Sequence, residues 1–256
     1  MKHPFSKILI LILLAGFGTS NLAFAHEPLY GIGPHVLFKG GFAPHITIAG
    51  SGSLFEMEYS LGYGITRNWT VIGEMPFVLD NNNYSFEGFH LKQKYRFYSW
   101  FEPGMSRQVS AVTKLVFPVG NDSPTVINLG LTGGQEALKW YWFFSAGYAA
   151  KFINDSMHPG NNLDYTATFG FRPFKTNYYK PDLVIFLEGI GRFVEKSKLN
   201  GNTIQNSGGH AWSLAPTFML TYRNIALRGG IETGMAKSGY VEKPETNYKF
   251  TLELHL

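Results

Sequence analysis

From Lys39 to its last residue the chain alternates, one side chain apolar and often aromatic, the next polar, charged or small. The final segment is the plainest case. Tyr248, Phe250, Leu252, Leu254 and Leu256 fall on one side, and Lys249, Thr251, Glu253 and His255 on the other. A period of two places residues i and i+2 on one face of a β-strand. The pattern therefore predicts strands with one apolar and one polar face. Residues 54–63 set Glu56 and Glu58 against Phe55, Met57, Tyr59, Leu61 and Tyr63. Residues 69–80 set Glu74 against Trp69, Val71, Met75 and Phe77. Residues 89–101 set His90, Lys92, Lys94 and Arg96 against Phe89, Leu91, Tyr95, Phe97 and Phe101. Lys114, Lys139, Lys151, Arg172, Glu188, Arg192, Arg228 and Glu232 take the polar side of later segments. Two weaker strands, near 41–49 and 125–132, bring the count to about 12.

The connections also alternate. Compact ones are expected at 66–68, 102–107, 134–137, 175–180 and 223–224, and longer polar ones at 80–85, 120–124, 154–162, 195–209 and 236–246. Short turns at one rim and long loops at the other are the habit of outer-membrane barrels. A secreted sandwich or lipocalin-like fold would also alternate. Three further features favour the barrel. Lys2, His3 and Lys7, the apolar run 8–14 and Ala23-Phe24-Ala25 have the layout of a signal peptide cut after Ala25. The run is too short to span about 30 Å of hydrocarbon as a helix. Aromatic and charged residues each make up 16% of the chain, whereas soluble domains carry roughly a quarter charged residues. With no cysteine in the chain, neither disulfides nor a lipid-anchored terminus is expected. The net charge of +4, two of it from Lys2 and Lys7, is too small to imply a nucleic-acid partner.

The sequence thus predicts an all-β chain: a closed antiparallel transmembrane β-barrel of about 12 strands at residues 39–256. A signal peptide at 1–25 and a periplasmic or lumen-tucked segment at 26–38 precede it. Its expected surroundings are outer-membrane lipid and lipopolysaccharide, reached through the barrel-insertion machinery of a Gram-negative bacterium.

Several stretches carry a resemblance. They are residues 26–41, which begin His26-Glu27-Pro28 and end Lys39-Gly40-Gly41; Glu56-Met57-Glu58; the run from Tyr63-Gly64-Ile65-Thr66 to Trp69-Thr70-Val71; and Glu74-Met75-Pro76. In these the chain resembles the outer-membrane transporter barrels grouped with the phenol meta-degradation pathway. The resemblance implies a barrel that passes small or hydrophobic molecules. Leu256 departs from the terminal Phe of many such barrels.

The pore-lining candidates are Glu56, Glu58, Glu74, Lys92, Lys94, Arg96, Lys114, Arg172, Glu188, Arg192, Arg228 and Glu232. They permit two arrangements: a polar pore in which Lys92, Lys94 and Arg96 favour anions, or a lumen filled by ion pairs that brace the wall. On the same parity, Glu188→Gln is expected to be tolerated far better than Leu187→Arg. Cleavage before His26 would place an amine beside an imidazole, a nitrogen pair suited to Cu(II), with His35 as a third ligand; the alternative is an ordinary flexible terminus. No other cofactor is expected, and no spacing matches a zinc site. Hydrolysis is disfavoured, because His210 and Ser213 have opposite parity, as do His90 and Ser99. The expected function is a non-enzymatic channel or transporter for small-molecule solutes. The alternative is a non-conducting barrel that binds a ligand or partner, with copper at the amino terminus.

Overall fold

The computed structural model describes residues 27–52, 54–80, 83–120, 123–153, 156–175 and 179–256. The expected signal peptide and His26 lie outside the described residues. Twelve strands form the wall: β1 Phe42–Ser51, β2 Leu54–Thr66, β3 Trp69–Asp80, β4 Gly88–Glu102, β5 Met105–Pro118, β6 Thr125–Ala137, β7 Trp140–Phe152, β8 Asn162–Phe171, β9 Asp182–Val194, β10 Gly209–Tyr222, β11 Ile225–Gly239 and β12 Asn247–Leu254. Each pairs antiparallel with its neighbours in sequence, and β1 also pairs with β12, from His45 opposite Glu253 to Gly50 opposite Tyr248. That last ladder closes the sheet and removes its edges. Closure is how a strand assembly satisfies its backbone in hydrocarbon.

The two rims differ. At one, the turns are Arg67-Asn68, Pro103-Gly104, Leu138-Lys139 and Arg223-Asn224, with 172–181 longer. Gly104 takes the left-handed φ of 78° that its tight turn needs. The carboxyl terminus reaches this rim, where Leu256 and Phe42 exchange backbone hydrogen bonds of 2.8 and 3.0 Å. At the opposite rim Asn83–Phe86 extends the β3–β4 hairpin. There, Met157–His158, Lys198–Leu199 and Asn202–Thr203 join two loops in a small sheet of their own.

The outward face is apolar and exposed along its length, as at Leu129, Phe144, Phe169, Leu187 and Ile231. The inner face is less uniformly polar than the alternation predicts. Tyr141, Phe143, Val184, Phe186, Met219 and Ala226 form an apolar cluster inside the barrel. β7 is apolar on both faces, so its period alone could not reveal this. Three placements are corrected. A bulge between Arg96 and Tyr98 adds one residue to β4, which reverses every later side chain. Phe101 therefore sits opposite Ser106 and Ser99 opposite buried Gln108, both on the inner side. Ser99 and His90 share a face after all. Residues 134–137, expected as a compact connection, continue β6, and the turn follows at Leu138-Lys139. Lys139 then lies at the rim, with its ammonium 5.4 Å from the Phe171 ring centroid, rather than in the lumen.

Candidate functional site

The strands enclose a lumen, and residues 27–38 run through it. This segment contains Pro28, Gly31, Gly33 and Pro34, so it joins no ladder, yet its backbone groups are cut off from bulk water and need partners. The wall supplies them. Leu29 N–H donates to Glu188 Oε1 at 2.8 Å, and Tyr30 and Gly31 N–H donate to Oε2 at 3.0 and 2.9 Å. Thr217 Oγ1 adds a fourth donor at 2.8 Å. Three successive amides closing on one carboxylate form an anion nest, and Glu188 is 0% exposed. Further along, Ile32 O accepts from Thr132 Oγ1, Pro34 O from Ser110 Oγ at 2.5 Å, and Gly33 O from Lys94 Nζ at 3.2 Å. Leu37 N–H donates to Thr70 Oγ1 at 2.8 Å, and Arg228 Nη1 donates to Pro28 O at 3.1 Å. The segment thus follows the inner wall from β3 round to β11. Glycine suits the segment where it passes β8: a Cβ on Gly31 would come within 2.7 Å of Thr166 Oγ1.

The inward charges gather into clusters. Glu27 lies 2.7 Å from Lys94 Nζ and 3.7 Å from His35, whose other ring nitrogen is 3.4 Å from Glu136. Both Glu27 and His35 belong to the segment and not to the strands. Burial alone would lower the His35 pKa, but the carboxylates of Glu136 and Glu27 outweigh it and raise it to about 9. Burial likewise opposes ionisation of Glu27, but Lys94 and His35 hold it well below the usual carboxylate range. In a second cluster, buried Glu74 is paired with Lys92, with Lys114 at 2.8 Å and with His90 at 3.6 Å. In a third, Glu253 meets Arg228 at 2.9 Å, His45 at 3.1 Å and His255 at 3.0 Å.

The remaining pore candidates are scattered. Arg172 pairs with Asp182 at 2.7 Å near the short-turn rim, and Arg192 with Asp164 at 2.5 Å at the far rim, where it is exposed. Glu56 is exposed, Glu58 is half-buried, and Glu232 is half-buried opposite Asn247. Arg96 stands apart. Its Nη1 donates to Gln108 Oε1 at 2.8 Å, and Nη2 to Arg67 O at 2.6 Å and Asn68 Oδ1 at 2.9 Å. Residues the sequence did not single out also take part. Glu27 precedes the strands, and Glu136 lay in a presumed turn; an acidic residue beside Pro28 was the only signal for the first.

As for a metal, the ligand atoms of Glu58, Glu74 and His90 lie within 4.8 Å of one another, but Lys92 and Lys114 already provide the cations there. Both ring nitrogens of His35 face carboxylates. His210 lies on the outer side, its Nε2 2.6 Å from Tyr165 Oη, while Ser213 is buried on the inner side.

Two spaces adjoin the segment. A cavity of about 880 Å³ opens between it and the short-turn rim, lined among others by His35, Phe38, Arg67, Arg96, Phe101 and Tyr141. A narrower one of about 160 Å³ lies between residues 27–32 and the wall at Glu58, Glu74, Lys92 and Lys249. The two share Glu27, His45, Ile72 and Lys94.

No family model and no curated protein matches the sequence. Solved structures do match the fold. The COG4313 outer membrane channel from Pseudomonas putida F1 superposes with a TM-score of 0.65 at 12% identity, over 90% of this chain and 99% of that one. NanC porin gives 0.55 at 8% identity, over 84% and 100%. KdgM porin gives 0.52 at 9%, over 83% and 98%. The fold is therefore that of outer-membrane β-barrels, with twelve antiparallel strands in a closed wall.

Proposed function

We propose that the protein is an outer-membrane channel for small molecules, narrowed at rest by residues 27–38. One observation carries this reading. A fully buried carboxylate, Glu188, holds the segment across the lumen by three amides, and open cavities remain on its flanks. The structurally similar proteins are a channel and two porins, which supports the same role. We further infer kinship with the phenol meta-degradation barrels from residues 63–71, and a setting in outer-membrane lipid and lipopolysaccharide from the exposed apolar outer face.

Planar bilayers test the proposal. The intact protein should give small discrete conductance steps, and a chain lacking residues 27–38 steps at least several-fold larger. Steps of equal size would mean that the segment is not the restriction. Silence from both, across voltage and salt, would leave the non-conducting alternative.

The same reading fixes the orientation. With both ends of the wall at the short-turn rim, the small sheet containing Asn202–Thr203 faces outward from the cell. A peptide tag inserted after Asn202 is expected to be labelled on intact cells. Labelling only after permeabilisation would invert the topology.

A further inference from the structure

We infer that the cavity at the short-turn rim is a binding site for small organic anions with an apolar body, and that Arg96 is its anchor. The proposal rests on the channel reading for the route of access and adds the class of solute. Its basis is charge accounting. Of the inward arginines among the described residues, Arg172 faces Asp182, Arg192 faces Asp164 and Arg228 faces Glu253. Arg96 has only neutral acceptors: Asn68 Oδ1, Gln108 Oε1 and Arg67 O. They hold the guanidinium in place without cancelling its charge. Of its five N–H donors, these bonds use four, Nε toward Asn68 at 3.3 Å included. One Nη1 donor is left, and the Gln108 amide, which accepts from Arg96 through its oxygen, has donors of its own.

The other charges of the cavity are largely balanced. Glu27 is matched by Lys94, Glu136 by His35, and Glu253 by His45, His255 and Arg228. At the mouth Arg67 and exposed Glu102 offset one another in formal charge. Arg96, with Arg67 close by at the mouth, therefore makes the chamber cationic. Around it the walls are apolar: Val36, Leu37, Phe38, Phe101, Met105 and Leu138. The bulge in β4 is what brings Phe101 to the inner side, where its ring centroid lies 5.9 Å from the Arg96 guanidinium carbon. About 880 Å³ is ample for a single-ring ligand. A carboxylate matches the fork of a guanidinium, and the apolar remainder would lie against Phe38, Phe101 and Met105. A plain inorganic anion would gain nothing from those walls, and an uncharged hydrophobe nothing from Arg96.

The probes are 4-fluorobenzoate, its uncharged counterpart 4-fluorobenzamide, and acetate, titrated against the full chain in detergent and read by fluorine NMR or calorimetry. The benzoate is expected to bind at least tenfold more tightly than either of the others. Arg96→Gln should abolish its advantage over the amide, and Phe101→Ala should weaken benzoate and amide alike. Arg107→Gln serves as a control, since that side chain pairs with Gln135 outside the cavity, and it should change nothing. Heat-modifiable gel mobility reports whether each variant folds; if Arg96→Gln does not, the benzoate–amide comparison on the parent decides alone. Equal binding of benzoate and amide, or an undiminished preference in folded Arg96→Gln, overturns the proposal. Conductance without benzoate binding would sink this site and leave the channel standing. Binding without conductance would do the reverse.

Discussion

Glu188→Ala is expected to release residues 29–31 from the inner wall and to raise single-channel conductance several-fold. The carboxylate accepts from Leu29, Tyr30 and Gly31 N–H and from Thr217 Oγ1. Removing it strands three amides, at about 1–3 kcal/mol each and less where water fills the space left by Ala. The neighbouring hydroxyl contacts, from Thr132 to Ile32 O and from Ser110 to Pro34 O, contribute about 0.5–1.5 kcal/mol apiece. Glu188 is therefore the main anchor of residues 29–31, while Lys94 on Glu27 and Gly33 O and Glu136 on His35 hold the residues on either side. The parity that favours Glu188→Gln over Leu187→Arg speaks for the wall alone and not for the segment. An amide keeps the shape but turns one acceptor into a donor that faces a backbone N–H. Because the chain has no cysteine, Ile32→Cys supplies a single reporter. It should react slowly with a maleimide in the parent and quickly beside Glu188→Ala. Unchanged conductance together with unchanged labelling would mean that Glu188 does not hold the segment.

The adjacent residue should behave oppositely. Leu187→Arg is expected to destabilise the barrel by about 2–4 kcal/mol, the cost of a cation on the lipid face near the bilayer midplane. Leu187 is in the middle of β9, 48% exposed on the outer side, opposite Phe169 on β8 and Pro216 on β10. The measurement is urea unfolding from lipid vesicles, with the Ile32→Cys reaction as a second readout. Leu187→Arg should lower the unfolding midpoint and leave the reporter slow. Glu188→Ala should make the reporter fast. If both substitutions gave the same pair of changes, the assignment of inner and outer faces would be wrong.

The wall was legible in the sequence because strand parity is local. Each residue's face follows from its neighbour two places away, so Tyr248, Phe250 and Leu252 declare an outer face without reference to any other strand. Turn lengths are local too, and the twelve antiparallel strands with their unequal rims follow from them. Pairing is not local. The bulge at Phe97 depends on how β4 meets β5, and it moved Phe101 to the inner side. Gly134 looks like the start of a turn in isolation. It belongs to β6, where it lies opposite Phe143 of β7 and a Cβ would meet that ring. The list of inward charges could be drawn up from sequence, but their partners could not. Glu74 collects Lys92 and Lys114, while Arg96 is left with neutral acceptors. The path of residues 27–38 was the least accessible of all, since its anchor is a carboxylate 159 residues away from Leu29. A backbone with no ladder of its own takes its hydrogen bonds wherever the closed wall offers them, and only the closed wall decides where that is.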